Sequence, residues 1–183
     1  MSISDLSDEA LMLKAQQGEL DAIGVLYQRY SKKLFNFFIK LTANRDSSAD
    51  LMQNVFLRVI KYRMSYSGIH PFRTWMYQMA RNCLKDYLEM KKKHPNAFDT
   101  EKIAASIVDD DNANTQSAQD SLLYKAMENL PIESKELLVM SNFQGLKYEE
   151  IASITGDSVA NIKIKVYRIM IKLKELYFEL ENA

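Results

Sequence analysis

Apolar residues recur at three- and four-residue spacing along most of this chain, which predicts helices. A short helix follows Ser7, with Leu11 and Leu13 as its apolar positions. A longer one runs from about Leu20 to Leu41, carrying Ile23, Leu26, Tyr27, Tyr30, Leu34, Phe37, Phe38 and Leu41. A third opens at Ser47-Ser48-Ala49-Asp50, a start like a capping box with Asp in place of Glu, and continues through Leu51, Met52, Val55, Phe56, Val59 and Ile60. The fourth begins near Pro71, a residue suited to a first helical turn. Phe72, Trp75, Met76, Met79, Ala80, Cys83, Leu84, Tyr87 and Leu88 keep its apolar face, and Lys91-Lys92-Lys93 suits its C-terminus. Tyr62 to His70, between the third and fourth, reads as a polar, aromatic loop. From Pro95 to about Gln119 the periodicity fades. It resumes near Ser121, breaks at Pro131 and restarts from Ile132 to Asn142.

The end of the chain is the most specific part. A helix is predicted from about Tyr148 to Thr155, with Ile151 and Ala152 inward. Gly156 follows, where a left-handed backbone costs little. Asp157 and Ser158 offer oxygens to cap the next helix. In that helix Ile162, Val166, Ile169 and Leu173 form one stripe, with Lys163, Lys165, Arg168 and Lys172 off it. Small Ala152 lets the two helices cross closely. This is the sequence form of a helix-turn-helix, which lays its second helix in the DNA major groove. The same pattern also describes a helical hairpin with a solvated basic face.

Composition agrees with a helical protein. The chain has 183 residues, 47% of them hydrophobic, with only 5 glycines and 3 prolines. Its net charge of zero hides an asymmetry. Residues 1–95 carry 15 Lys and Arg against 9 Asp and Glu, and residues 96–130 carry 2 against 7. Residues 131–183 carry 7 against 8. A nucleic-acid-facing first block and an acidic, solvated linker around Asp109-Asp110-Asp111 are expected. No apolar run approaches the roughly 20 residues of a membrane span, and no secretory signal precedes Lys14. The single cysteine, Cys83, excludes an intrachain disulfide and is expected in the core.

Candidate catalytic chemistry is missing from the pattern. His70 and His94 stand far from any clustered Cys or carboxylate pair. No metal-ligand spacing, phosphate-cradling loop or nucleophile elbow occurs. Glu149-Glu150 are successive on a helix and do not share a face. No catalytic, cofactor or metal site is expected.

Three stretches go further: Leu26-Tyr27-Gln28-Arg29-Tyr30, Asp50-Leu51-Met52-Gln53-Asn54-Val55-Phe56-Leu57-Arg58, and Phe72-Arg73-Thr74-Trp75-Met76-Tyr77-Gln78-Met79-Ala80-Arg81-Asn82. In this order they resemble region 2 of extracytoplasmic-function (ECF) sigma factors, the small members of the sigma-70 family. Leu130-Pro131, followed by Gly145-Leu146-Lys147-Tyr148-Glu149-Glu150-Ile151-Ala152, resembles region 4 of the same family. The resemblance covers about residues 10–93 and 121–177.

It implies an all-α chain of two small helical domains joined by a flexible acidic linker: region 2 over residues 1–95, linker over 96–120, region 4 over 121–183. In the family, region 2 docks on the clamp helices of the largest polymerase subunit. By motif match that role falls on Asp50, Gln53, Asn54, Leu57 and Arg58. Region 2 also recognises the −10 element and takes a base out of the stack near the loop before its last helix. Here Ser65, Tyr66 and Ser67 stand in that loop, offering stacking surface and donors. Arg73, Tyr77, Arg81, Asn82 and Lys85 are expected on the polar face of the following helix, against phosphates. Trp75 falls on the apolar stripe.

Region 4 in the family reads the −35 element. The matching positions are Ser158, Asn161, Lys163, Ile164, Lys165, Tyr167 and Arg168. Lys reaches guanine acceptors and Asn pairs with adenine. Ile164 either meets a thymine methyl or packs. Family members commonly carry a Gly-Thr pair and then Lys-Ser or Arg-Ser; this chain has Ala160-Asn161 and Lys163-Ile164, which leaves its base preference open. The resemblance implies a cytoplasmic, non-enzymatic sigma factor without cofactors. Its partners would be core RNA polymerase (clamp helices and flap), promoter DNA and a separate anti-sigma factor, with no membrane insertion.

Overall fold

In a computed structural model, residues 2–94 and 118–183 are described. The chain divides into two compact units, Met1–Ala104 and Ala105–Ala183. The acidic stretch Asp109–Asp111 and most of the expected linker lie outside the described residues.

Among the described residues the N-terminal unit holds four α-helices: α1 (Asp8–Gln16), α2 (Asp21–Thr42), α3 (Arg45–Tyr62) and α4 (Phe72–Lys93). α2 packs on α1 and α3, α3 packs on α4, and α1 closes the arrangement against α4. Its core is aromatic. Phe37, Phe38 and Phe72 are fully buried. The Phe37 ring meets Phe38 and Tyr77 edge-on at 5.2 and 5.5 Å. Such rings dominate core energetics through their area and add edge-to-face attraction.

Three local expectations are corrected. In α1 the buried apolar residue beside Leu11 is Met12, and Leu13 faces solvent. α3 starts earlier than its serines suggest. Ala43 takes a left-handed backbone at φ 53°, ending α2, and Asn44 caps α3 by accepting from the Ser47 N–H at 2.7 Å. Ser48 is then buried inside the first turns and donates to the Asn44 carbonyl at 2.6 Å. Ile60 is exposed, because the stripe of α3 ends at Val59. Cys83 is buried as expected, and burial pushes its thiol pKa up, away from a reactive thiolate.

The C-terminal unit is built on α8 (Val159–Glu181), which packs against α5 (Ala118–Glu128), α6 (Ile132–Leu138) and α7 (Tyr148–Thr155). The helix expected from Ile132 to Asn142 is not uniform. After Leu138 it widens into a π-helical stretch, Val139–Phe143. The core here is aliphatic, from Leu137, Leu138, Val139 and Met140 to Ile151, Ile154 and the four stripe residues of α8.

Candidate nucleic-acid interface

In the C-terminal unit the turn chemistry sets up α8. Thr155 donates to the Ile151 carbonyl at 2.9 Å, and Gly156 turns the chain out of α7 at φ 75°. The Gly156 N–H closes the helix on the Ala152 carbonyl. Ser158 caps α8, accepting from the Asn161 N–H at 3.1 Å. Ahead of α7, the Glu150 carboxylate accepts from the Lys147 N–H at 2.9 Å, so this half of the Glu149-Glu150 pair is a capping residue.

Ile162, Val166, Ile169 and Leu173 are all buried, as the spacing predicts. At 3.6 residues per turn, Ile164 then stands directly opposite the core, at the centre of the outward face. Asn161, Lys165 and Arg168, spaced by four and three, share one flank. Lys163 and Tyr167 share the other. All five are exposed, Tyr167 at 69%. The expected reading set is therefore one surface with two flanks, and successive lysines do not act together.

One anion organises the first flank. The Asp157 carboxylate accepts from Lys165 Nζ at 2.5 Å, from Asn161 Nδ2 at 3.0 Å and from the Ser158 N–H at 2.8 Å. These bonds, that of Lys165 foremost, hold its pKa down at about 2. From its place before α8, Asp157 is expected only to cap the helix.

In the N-terminal unit the outward face of α3 presents Asp50, Gln53, Asn54 and Leu57, opposite the core residues Leu51, Val55 and Val59. Leu57 is 62% exposed. Arg58 lies at the edge of this face, where it pairs with Asp86 of α4 at 2.5 Å. That pair helps line a groove of about 270 Å³ between α3 and α4, with Asp50, Leu51, Asn54, Tyr87 and Met90.

The loop before α4 is braced from α1. Gln16 donates its amide to the carbonyls of Arg63 and Tyr66 at 2.9 and 2.7 Å, and Arg63 Nε donates to the Ala15 carbonyl at 3.2 Å. Glu9 accepts from the Phe72 N–H at 3.2 Å. Two of the expected contact residues lie inward. Tyr66 is only 8% exposed; its ring lies 5.2 Å from Trp75, and its hydroxyl donates to the His70 carbonyl at 2.9 Å. Burial foremost, with Glu9 and Asp8 nearby, pushes its pKa up to about 12. Tyr77 is 3% exposed and belongs to the core. Tyr is amphipathic, and in this unit the aromatic body decides its place.

Ser65 and Ser67 remain at the surface, the former donating to the Tyr62 carbonyl at 2.7 Å. On α4, Asn82 and Lys85 are exposed, whereas Arg73 and Arg81 are half-buried. The sequence reading passed over Ile69, 79% exposed beside Gly68 at the loop tip, and Met64 at its base. An apolar residue next to a glycine within a polar loop was the available signal.

Two helical units, one ending in a helix-turn-helix with its outward face exposed, narrow the relatives to consider. Residues 26–94 match sigma-70 region 2, and residues 120–173 match sigma-70 region 4. The chain belongs to the sigma-70 family. It is an ECF-type member and directs RNA polymerase to promoters. The ECF RNA polymerase sigma-E factors of Haemophilus influenzae and Escherichia coli are each 25% identical to it over 173 residues. Those alignments cover 89% of this chain and 91% and 90% of the relatives. Among solved structures, CnrH in complex with the cytosolic domain of CnrY is similar in fold at a TM-score of 0.69 and 20% identity, covering 92% of this sigma factor and 96% of that chain. The sigma factor RpoE of Bartonella quintana, in complex with the anti-sigma factor NepR, gives 0.64 at 23% identity, covering 87% and 94%. Among the described residues of the sigma factor, no helix is long and apolar enough to cross a membrane.

Proposed function

We propose that this sigma factor grips its promoter at two points, with residues 1–95 at −10 and on the polymerase, 121–183 at −35, and 96–120 as the tether. The observation that carries the reading is the outward face of α8, where Asn161, Ile164, Lys165 and Arg168 stand exposed behind a capped turn. A helix so presented fits the major groove, with Ile164 toward thymine methyls and the cationic flanks toward base edges and phosphates. Ser158 and the N-terminal turn of α8 face the backbone, while Lys163 and Tyr167 form the second flank.

The face of α3 bearing Asp50, Gln53, Asn54 and Leu57 docks on the largest-subunit clamp helices, with Arg58 at its rim. Ser65, Ser67, Asn82 and Lys85, with Arg73 and Arg81 at the edge, take the −10 strand, and Tyr66 and Tyr77 support them from the core. The protein works in the cytoplasm, uses no cofactor and catalyses no reaction of its own. Zero net charge supports a division of labour in which the holoenzyme supplies most of the phosphate attraction. Similarity in fold to a sigma factor solved with an anti-sigma factor supports control by a separate anti-sigma protein.

Reconstitution with core RNA polymerase tests the reading. The holoenzyme should initiate at promoters carrying both elements. Arg168→Ala should weaken −35 dependence while core affinity persists, and Leu57→Asp should do the reverse. Failure to bind core, or initiation indifferent to both elements, refutes it.

A further inference from the structure

Asp157 does more at the mouth of α8 than its place before the cap requires. Its two oxygens hold three donors: the Ser158 N–H, Asn161 Nδ2 and Lys165 Nζ. Asn161 and Lys165 are one turn apart on the same flank, so a single carboxylate reaches both. An ionised carboxylate only accepts hydrogen bonds. It therefore faces the amino end of the Asn161 amide and excludes the flipped orientation, in which two oxygens would meet. The pKa near 2 keeps the carboxylate ionised at any pH where the protein works.

One amino hydrogen of Asn161 is committed to Asp157. What remains is a carbonyl oxygen beside the second amino hydrogen, an acceptor next to a donor. In the major groove adenine offers the complement, the N6 donor beside the N7 acceptor. Guanine offers two acceptors and opposes the carbonyl. Cytosine and thymine each satisfy one end only.

We propose that Asp157 is a positioning residue that locks the Asn161 amide to read an adenine in the −35 element, with Lys165 closing the other side of the carboxylate. This rests on the reading that α8 enters the −35 major groove. The chemistry needs an anion at 157, an amide at 161 and a cation at 165 together.

The test uses holoenzyme reconstituted from core polymerase and the full chain, selecting from a pool of promoters randomised across the −35 element. Wild type should prefer adenine at one position by about tenfold or more, the discrimination of a good bidentate contact. Asp157→Ala and Asn161→Ala should each reduce that preference to within about threefold, at that position alone, with core affinity unchanged. The double variant should lose no more than either single one, as for residues acting as a unit. Asp157→Asn, whose amide can donate as well as accept, should also lose the preference. Retention of the adenine preference by Asp157→Ala while Asn161→Ala abolishes it would overturn the proposal, as would a uniform change of affinity across all sequences. A −35 preference altered by Ile164→Ala and Arg168→Ala but not by Asn161→Ala overturns this proposal and leaves the groove reading intact. Wild-type indifference to the −35 sequence overturns both.

Discussion

The two units bury different chemistry. The N-terminal core is aromatic, with Phe37, Phe38, Phe56, Phe72, Tyr30, Tyr66, Tyr77 and Tyr87 all inside. The C-terminal core among the described residues is aliphatic, closed by Leu, Ile, Val, Met and Ala, and its aromatic side chains lie at or near the surface, with Phe143, Tyr167 and Phe178 exposed. An aromatic ring therefore means opposite things in the two halves. In the first most rings are packing, Tyr66 and Tyr77 among them, with Tyr27 and Tyr62 exposed. In the second they lie at or near the surface.

The sharpest way to break this contrast is Tyr77→Ala. As a core residue it should cost the N-terminal unit about 3–5 kcal/mol in chemical denaturation, with the C-terminal unit untouched. A stability left unchanged, together with lost promoter opening, would return Tyr77 to the DNA interface. Next comes Gly156→Ala. The added methyl meets nothing within 4 Å, so only the left-handed backbone resists it. Thermal unfolding of the C-terminal unit should show a loss of about 1–2 kcal/mol.

Smaller effects follow from the tyrosine hydroxyls. Burial, then the hydrogen bond to Asp8, pushes the Tyr30 pKa far above its ordinary value, and Tyr66 is pushed up to about 12. Folded pKa values above the unfolded ones mean that this stability is fully present below about pH 10. It is lost as pH rises, for Tyr66 through about 12. An alkaline titration should therefore weaken the N-terminal unit in that window. Tyr66→Phe should remove part of the slope while costing about 1 kcal/mol at neutral pH. The smallest effect on folding, and the most telling, is Tyr167→Ala. Stability should stay within about 0.5 kcal/mol of wild type, whereas holoenzyme affinity for the promoter should fall. A clear loss of stability would place Tyr167 in a core and erase the contrast.

The helices and the end of the chain were legible because their signals are periodic and local. The stripe Ile162, Val166, Ile169, Leu173, the turn at Gly156 and the cap at Ser158 need only neighbours in sequence. The misreadings share a cause, which is that their determinants lie elsewhere in space. Tyr77 sits where a polar face was expected because Phe37 of α2 meets it. Tyr66 is covered by residues of α4, and its loop is held by Gln16 of α1, fifty residues away. α3 begins at Arg45, capped by Asn44, because Ala43 accepts a left-handed backbone, which composition does not announce. The Asp157 network was hidden because it depends on one lysine reaching back eight positions. The flanks of α8, by contrast, were available from the helical period and were merged only by reading its cations as one set.

Trp75 has a further use. It is the only tryptophan in the chain, half-buried with its ring 5.2 Å from Tyr66 and 6.2 Å from Phe72. Excited selectively, its fluorescence reports the N-terminal unit alone, at the joint between the loop and α4. The other half of the molecule is optically silent at that wavelength. An unlabelled sample thus carries its own probe of whether the loop repacks when single-stranded DNA arrives.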